Sequence, residues 1–450
     1  MILDRNAFGI WSLIAKRAFK AQFAKPTTAE AGKAIYETLT ERELALYIHI
    51  PFCGGTCLFC PYVRSPVSKH EREKLILKYM DALLAEIKSY SRITEELEFK
   101  IVDIHAGGGT PSLLNGKQWK TILDCLTQTF GAEPKIAIEA NPEDLKNETH
   151  AFDLIDSGVY EVSLGIQSFN PKMLKSLGRR HSIEDSLKSI RNLRNAGCEY
   201  INIDLMHMVP GQSLQEWIDD LEIASEQDVD EITCYPTLIT PYCIGYKLIK
   251  SNKLDQPDNK TFKSMVYASE DLLSTKGFQP IEIYGYSRKQ SWKYATVNYE
   301  MEGPLLGLGC GATGFTGGYE YQNTCSVQEY IRSSTNGELP IAGARWVSLT
   351  ERSIRYATCR VFVCRSLNKS EFQRKFGKDF RELIGRAGFG RMLGLLKLLG
   401  HLKEDNKKIE LRKKGLFTAH RICWAFVLSV PCRLCEEYLK TPWPSNVIIP

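Results

Sequence analysis

The sequence predicts an α/β fold: a partial (βα)6 barrel of the TIM type, followed by a smaller and mostly helical C-terminal domain. Three observations support this prediction. Short β-rich runs alternate with amphipathic helical stretches between residues 44 and 236. Cysteines, glycines and polar residues follow several of these runs, at the strand ends where a barrel carries its chemistry. After about residue 345 the chain changes to basic helical segments.

The predicted barrel strands are rich in β-branched and apolar residues and cover 44–50, 100–105, 135–140, 161–166, 200–205 and 231–235. The stretches between them have helical periodicity, and the clearest are 71–90, 183–196 and 214–226. This alternation predicts parallel pairing, because each helix carries the chain back over the sheet. Six such units form either an open doubly wound sheet or a partial barrel, and the chemical motifs at the strand ends favour the barrel.

The remaining elements complete a division into three parts. We predict an N-terminal helical extension over 1–43, the barrel over 44–300, and a closing segment with the basic C-terminal domain over 301–450. Outside the barrel strands, we predict a basic amphipathic helix, three later helices and a glycine-rich segment, over 9–25, 261–276, 371–387, 391–401 and 303–318.

Composition and charge narrow the possible function classes. The chain has 450 residues, 43% of them hydrophobic and 25% charged, which is typical of a globular protein of two or three domains. Its net charge is only +5, but residues 351–420 hold 18 Lys or Arg against 7 Asp or Glu. No run approaches the roughly 18 apolar residues of a membrane span, and no signal-peptide pattern is present. We therefore expect a cytoplasmic protein with mostly reduced cysteines and no nucleic-acid partner.

The strongest chemical signal is a cysteine motif. Cys53, Cys57 and Cys60 follow the first predicted strand at the spacing Cys-x3-Cys-x2-Cys. Three thiolates at this spacing can hold three corners of an iron–sulfur cube and leave the fourth iron open for a substrate. The alternatives are a zinc site, which normally needs a fourth Cys or His nearby, and three unrelated core thiols.

Polar groups also follow the later predicted strands. The glycine run 107–109 offers backbone amides that suit a carboxylate, although such a run alone also fits simple loop packing. Glu139 ends the next strand, where we expect a carboxylate to meet a ligand rather than to be buried unpaired.

Three further polar residues lie at or after successive strands. Gln167, Arg179 and Asp204 supply an amide, a guanidinium and a carboxylate. Together these groups can bind a zwitterionic amino acid and a ribose. The alternative is a barrel end held together by salt bridges.

In this context the motifs resemble the radical S-adenosylmethionine (SAM) superfamily. More narrowly, they resemble the family around oxygen-independent coproporphyrinogen III dehydrogenase (HemN), whose relatives include a heme chaperone and the class C radical SAM methyltransferases. The resemblance covers most of residues 44–330. It implies a [4Fe–4S] cluster on the three motif cysteines, with SAM bound at the open iron. It also implies a dry site, in which a 5′-deoxyadenosyl radical removes a hydrogen from its target.

The resemblance further implies two SAM molecules per chain. The residues that match contacts to the first SAM are Tyr47, Gly108, Glu139 and Thr313. The residues that match contacts to the second SAM are Phe59, Gly109, Thr110, Gln167, Arg179 and Asp204. Thr313 lies in the glycine-rich stretch 306–314, which resembles a segment that closes over the first SAM; the alternative is a simple glycine-rich turn.

Three departures from the family pattern separate its branches. Pro61 and Tyr62 stand where the coproporphyrinogen enzyme has a further cysteine. The stretch 295–300 lacks the His and Trp of the chaperone's heme motif, and Met-His-Met at 206–208 replaces the family's usual Tyr-Gly. This pattern is most like the methyl-transferring branch, in which the second SAM supplies a methyl group to an sp2 carbon of a flat conjugated acceptor. The alternatives are oxidative decarboxylation of coproporphyrinogen III and a non-catalytic heme carrier.

The expected partners follow from this chemistry. They are a low-potential electron donor of the flavodoxin or ferredoxin type and a flat acceptor, which is a quinone, a tetrapyrrole or another heteroaromatic. We expect the chain to be a monomer. Segments 9–25 and 389–431 combine basic and apolar residues, which suits contact with an anionic membrane surface; packing on the barrel is the commoner arrangement for such segments.

The sequence leaves the proton donor or acceptor of the reaction open. The candidates, chosen only because they lie near predicted strand ends, are Tyr62, His207 and Tyr235. The cysteines outside the motif without further ligand partners are expected to be structural, among them Cys310, Cys432 and Cys435.

Overall fold

Six parallel strands occupy the predicted positions in a computed structural model of the chain. The structure describes residues 21–449, except for 41–42, 61, 67–68, 98, 238, 240–242, 252, 256, 290–301, 386–387 and 430–445. Its strands are β1 Ala21–Ala24, β2 Glu43–Ile50, β3 Phe52–Cys53, β4 Ser65–Pro66, β5 Lys100–Gly108, β6 Ile136–Ala140, β7 Val159–Gln167, β8 Tyr200–His207, β9 Glu231–Pro236, β10 Gln279–Pro280, β11 Gly285–Ser287, β12 Leu305–Leu308, β13 Thr313–Phe315, β14 Tyr319–Asn323, β15 Ile341–Trp346, β16 Ser366–Asn368, β17 Leu402–Glu404, β18 Lys408–Leu411 and β19 Asn446–Ile449.

One long mixed sheet contains the barrel. Strands β2, β5, β6, β7, β8 and β9 pair in parallel in that order. At β9 the sheet continues with the antiparallel β11 and then β10. At β2 it continues with the parallel β12 and then with β13, β14, β15, β1 and β19, all antiparallel to their neighbours. The predicted partial (βα)6 barrel is therefore confirmed, and its two outer strands, β2 and β9, are joined to further strands rather than to each other.

The helices of the barrel begin at side-chain caps that the sequence supplies. Asn115, Ser182 and Ser213 each form a reciprocal capping box with the third helical residue, which satisfies backbone donors that would otherwise lack partners. The helices are Thr28–Thr38, Lys69–Ser89, Ser91–Glu96, Gly116–Phe130, Pro142–Leu145, Glu148–Asp156, Pro171–Leu177, Ile183–Asn195, Leu214–Ser225, Ile244–Lys250, Asn259–Thr275, Val327–Thr335, Leu349–Thr358, Lys369–Phe376, Phe380–Leu383, Gly388–Leu398 and Leu416–Ser429.

Two apolar cores hold these layers together. The larger lies between the sheet and the barrel helices and buries Trp119 and Trp217 completely. The second lies among the C-terminal helices, where Phe372 and Leu396 are fully buried. The predicted helical C-terminal region is thus present, with its own small sheet of β16, β18 and β17.

Two helix predictions need correction. Residues 21–24 of the predicted helix 9–25 form a strand, because they pair with both β15 and β19; residues 9–20 lie outside the described residues. The predicted helix 371–387 is two helices, because Gly377 ends the first one in a left-handed conformation with a φ of 68°. The stretch 295–300 and the cysteines 432 and 435 also lie outside the described residues.

A helix needs about 20 predominantly apolar residues to span a membrane. Within the described ranges, none of them is both long enough and apolar enough to cross a bilayer.

Candidate functional site

The cysteine loop follows β2 at the carboxyl end of the barrel strands. The Thr110 hydroxyl donates to Cys53 Sγ at 3.7 Å, and Arg179 Nη1 donates to Cys57 Sγ at 3.4 Å. Arg64 Nη1 donates to the Cys60 carbonyl at 2.9 Å. Side chains from the loop after β5 and from the segment after β7 therefore reach the loop that carries the three thiols.

Two cationic side chains lie beside the buried thiols of the loop. Burial raises the pKa of Cys53 and raises that of Cys60 to about 12, while the charge of Arg64 opposes both shifts. The charge of Arg179 also opposes the rise in the pKa of Cys53. Three thiols with two guanidinium groups beside them fit an iron–sulfur cluster, whose thiolate ligands carry negative charge. Within the described residues, no group of three or more His, Cys, Asp or Glu is already arranged around a metal position.

The glycine run at the end of β5 passes close to other parts of the chain. Gly108 has a φ of 104°, and a Cβ atom there would lie 2.4 Å from the His49 ring. A Cβ atom at Gly109 would lie 2.6 Å from the carbonyl oxygen of Phe52, next to the cysteine loop. Both positions therefore require glycine, and the run lies against the loop that carries the thiols.

Three of the residues predicted to bind the first SAM lie around one histidine. Glu139 Oε1 lies 3.6 Å from His105 Nε2, and Glu139 Oε2 accepts from the Gly108 amide at 3.3 Å. The His105 ring stacks on Tyr47, with centroids 6.2 Å apart and planes at 12°. Burial alone would lower the pKa of His105, but the hydrogen bond and charge of Glu139 outweigh it and raise the pKa. The Glu139 side chain is 36% exposed, so it can accept a further partner.

Thr313, the fourth of these residues, begins β13, and its hydroxyl donates to Gln322 Oε1 at 2.7 Å. The adjoining glycine segment is held in place by Glu86, a buried carboxylate of the helix Lys69–Ser89. Glu86 accepts from the Gly309 amide at 2.7 Å, from Tyr330 at 2.6 Å and from Asn323 at 2.8 Å. Burial raises the pKa of Glu86 to about 7, against these three hydrogen bonds.

Arg179 connects several residues predicted to bind the second SAM. Its Nη2 donates to Asn141 Oδ1 at 2.7 Å and to the Gly165 carbonyl at 2.8 Å. Asn141 in turn donates to the Thr110 hydroxyl at 3.1 Å. Gln167 ends β7 next to an irregularity in the β7–β8 register and has a φ of 72°, which is rare for a residue other than glycine.

Asp204 lies half-buried on β8. Its carboxylate accepts from the Ser163 hydroxyl and from the Asn202 amide, both at 3.1 Å. Burial and the nearby charge of Glu139 raise the pKa of Asp204 to about 7, and the two hydrogen bonds only partly oppose the shift. Phe59, also predicted to bind the second SAM, packs against an apolar cluster of Met173, Leu177, Met206 and Val209.

The candidates for proton transfer have different surroundings. Tyr62 is 63% exposed beside the cysteine loop. Tyr235 ends β9 with its ring 5.5 Å from that of Tyr284, and burial together with the charge of Asp204 raises its pKa well above 10. His207 is buried between Trp217 and Phe262, and burial lowers its pKa well below 6.5. These surroundings are those of a core side chain, and the predicted proton-transfer role of His207 has no support in them.

Sequence reasoning missed the residues that position Arg179. Asn141 and Glu143 follow β6, and Glu143 lies 3.9 Å from Arg179 Nη2 and 3.5 Å from His181 Nδ1. Burial would raise the pKa of Glu143, but His181 and Arg179 outweigh it and lower the pKa to about 2. The signal available in the sequence was the segment Glu-Ala-Asn-Pro-Glu, with polar residues directly after a strand.

Known sequences with named functions resemble this chain over most of its length. The heme chaperone HemW of Lactococcus lactis is 26% identical over 404 residues, which cover 87% of this chain and 99% of the relative. The heme chaperone HemW of Escherichia coli is 32% identical over 273 residues, which cover 60% of this chain and 70% of the relative.

A family model and a solved structure support the superfamily and the fold that the cysteine motif suggests. The model of the radical SAM superfamily matches residues 47–224. The solved structure of coproporphyrinogen III oxidase (HemN) from Escherichia coli has a TM-score of 0.75 and 21% identity, and the match covers 90% of this chain and 94% of that one. At this identity the structural likeness establishes the fold alone. The chain belongs to the radical SAM superfamily, within the HemN-like family that includes the heme chaperone HemW.

Proposed function

We propose that this chain cleaves one SAM molecule reductively and takes a methyl group from a second SAM, for transfer to an sp2 carbon of a flat conjugated acceptor. The observation that carries the proposal is the number of charged side chains at the same strand ends. Glu139 lies with Tyr47 around His105, Arg179 reaches the cysteine loop, and Asp204 on β8 is a second carboxylate near Glu139. A single SAM amino acid needs only one carboxylate and one set of donors.

The superfamily implies a [4Fe–4S] cluster and SAM, and Cys53, Cys57 and Cys60 are the residues that would hold the cluster. When bound, the cluster supplies the electron that breaks a C–S bond of SAM. The Thr110 hydroxyl and the Arg179 guanidinium donate to two of the thiol sulfurs and so stabilise the thiolate form.

In this proposal, Glu139 binds the ammonium group of the first SAM. Its carboxylate is partly exposed and lies next to the Gly108 amide, which is a donor for the SAM carboxylate. Tyr47 fixes the position of His105 by stacking and thereby fixes Glu139.

Asp204 and Arg179 bind the second SAM. The described partners of the Asp204 carboxylate are neutral donors, so an ammonium group or a ribose hydroxyl would add the stabilisation that burial removes. Arg179 lies between Cys57 and Asn141 and so links the second SAM site to the cysteine loop. Gln167 and Phe59 are assigned to the same site on their place in the sequence pattern.

The reaction balances as follows. One acceptor with a C–H bond, two SAM molecules and two electrons give the methylated acceptor, S-adenosylhomocysteine, 5′-deoxyadenosine and methionine. One hydrogen of the transferred methyl group leaves in 5′-deoxyadenosine, the acceptor hydrogen leaves as a proton, and one proton returns to the new methyl group. The electrons come from a low-potential donor of the flavodoxin or ferredoxin type. Tyr235 and Tyr62 remain the candidates for moving a proton near the acceptor.

The experiment uses anaerobically reconstituted protein, a reductant and SAM deuterated in its methyl group. Mass spectrometry then shows whether 5′-deoxyadenosine carries deuterium, which we expect. Asp204→Asn should lose the deuterium transfer, because it removes the charge assigned to binding the second SAM. Unlabelled 5′-deoxyadenosine that forms only with coproporphyrinogen III would contradict the proposal and favour decarboxylation.

Heme binding is a second candidate, because the relatives from Lactococcus lactis and Escherichia coli are named heme chaperones. A titration with hemin distinguishes it from methyl transfer. A Soret band that saturates at one heme per chain, with no deuterium in 5′-deoxyadenosine, would favour the carrier. Deuterium transfer without a saturable Soret band would favour the enzyme.

A further inference from the structure

The helix Gly388–Leu398 exposes leucine side chains to solvent. Leu398 is 88% exposed, and Leu395 and Leu399 are each 47% exposed. The opposite face of the same helix is buried in the C-terminal core through Met392 and Leu396. A helix that is apolar on both faces normally has a partner on each, and neighbouring exposed leucines mark an interaction surface more often than isolated ones do.

The three leucines lie at spacings of three and four residues, so they form one continuous surface, here called the leucine patch. The backbone hydrogen bond from the Leu399 amide to the Leu395 carbonyl, at 3.0 Å, continues the helix to its last leucine. The patch is therefore a rigid feature of the helix rather than part of a loop.

Positive charges surround the leucine patch. Arg391 lies one helical turn before Leu395. Lys414 Nζ donates to the Leu399 carbonyl at 3.0 Å. Burial and the charges of Lys414 and Lys263 lower the pKa of His401, which follows the last leucine by two residues.

The charges of these cations are not neutralised locally. Within the part of the chain that the structure describes, Arg391, Lys263 and Lys414 are exposed and make no ion pair. By contrast, two neighbouring lysines have their charges neutralised by ion pairs. Lys397 pairs with Glu404, and Lys413 pairs with Asp271. The surface that remains is apolar at its centre and cationic at its rim.

We propose that the leucine patch docks on the surface of an anionic lipid bilayer. The leucines would enter the interface between headgroups and acyl chains, while the cations at the rim would contact the lipid phosphates. A bilayer matches both parts of this surface, because its headgroup phosphates are anionic and the region below them is apolar. The proposal does not depend on the methyl-transfer reaction, because it concerns a surface outside the candidate site.

The test is co-sedimentation of the full-length holoenzyme with vesicles. We expect binding to equimolar phosphatidylcholine and phosphatidylglycerol at about 50 mM salt, weaker binding at about 500 mM salt, and little binding to phosphatidylcholine alone. The triple variant Leu395→Ser, Leu398→Ser and Leu399→Ser should bind the anionic vesicles at least about tenfold more weakly. The matched control is Leu77→Ser, since Leu77 is 59% exposed on another helix and should bind like the wild type.

A second variant pair tests the charges without changing apolar packing. Arg391→Glu with Lys263→Glu should weaken vesicle binding by about tenfold or more, with an unchanged melting temperature. The proposal is overturned if the wild type stays in the supernatant with anionic vesicles at low salt, or if the leucine variant and Leu77→Ser bind equally. Binding to an acidic flavodoxin that the leucine variant abolishes, with no vesicle binding, would also overturn it and assign the patch to a protein.

Discussion

Asp204→Asn removes a charge from the site while preserving the shape of the side chain. The carboxylate has neutral donors as its described partners, the Ser163 hydroxyl and the Asn202 amide, and it lies near the charge of Glu139. We therefore expect the variant to be more stable than the wild type at alkaline pH. A carboxylate whose charge destabilises the free protein is a candidate for binding a ligand.

The expected difference in unfolding free energy follows from the raised pKa of Asp204. The folded-state pKa of about 7 exceeds the ordinary value of 3.8, so the folded chain binds more protons between these two pH values. The stability that the neutral carboxyl provides is complete below about pH 4 and is lost as the pH rises through about 7. At pH 8 the full shift corresponds to about 4 kcal/mol, and screening of the half-buried carboxyl reduces this to about 2 kcal/mol.

The assay is urea unfolding of the wild type and the variant without SAM. The unfolding free energy of Asp204→Asn should exceed that of the wild type by about 2 kcal/mol at pH 8 and by less than about 1 kcal/mol at pH 5. The variant should at the same time lose methyl-group deuterium transfer. A difference that is equal at both pH values, or a variant less stable at pH 8, would refute the electrostatic reasoning.

Three more predictions concern the scaffold of the site. Cys60→Ser should abolish the visible absorption of the reconstituted protein and lower its bound iron, measured against a Cys125→Ser control that keeps both. Glu86→Ala should lower the unfolding free energy by about 3 kcal/mol, because three buried donors lose their acceptor. Glu86→Gln should lower it by only about 1 kcal/mol. Equal losses in the two variants would show that the hydrogen bonds are not responsible. Gly108→Ala should lower the unfolding free energy by at least about 2 kcal/mol, because it adds a clash with the His49 ring to an unfavourable φ. Gly131→Ala has the same kind of φ but free space around the new methyl group, so it should cost about 1 kcal/mol. Thermal melts of the two variants make the comparison.

The barrel was predictable because its signals are local. Each parallel strand is a short apolar run followed by a helical stretch, and several of these helices begin at side-chain caps, so the positions of β2 and of β5 to β9 follow from composition and turn residues. The cysteine motif was equally readable, because its spacing lies within one loop. The helix predicted at residues 21–24 was wrong because that segment pairs with β15 and β19, and its basic amphipathic pattern gave no sign of these distant partners.

The contacts within the site were not predictable from local signals. Asn141 reaches both Thr110 and Arg179, which lie far from it in sequence, and only the shared edge of the sheet brings them together. His207 is a second residue whose surroundings could not be predicted from its place in the sequence. Its position at a strand end suggested chemistry, but the helices that supply Trp217 and Phe262 enclose it in the core.

The position of β2 in the sheet affects the point during translation at which the cysteine loop can receive its cluster. β2 lies between β5 and β12, and Tyr47 is in register with both His105 and Gly307. During synthesis the amino-terminal part emerges first, so the strand that leads into the cysteine loop lacks one neighbour until residues 305–308 have left the ribosome. We therefore expect iron–sulfur insertion to follow translation of almost the whole barrel and its closing segment, and not to accompany the emergence of the cysteines.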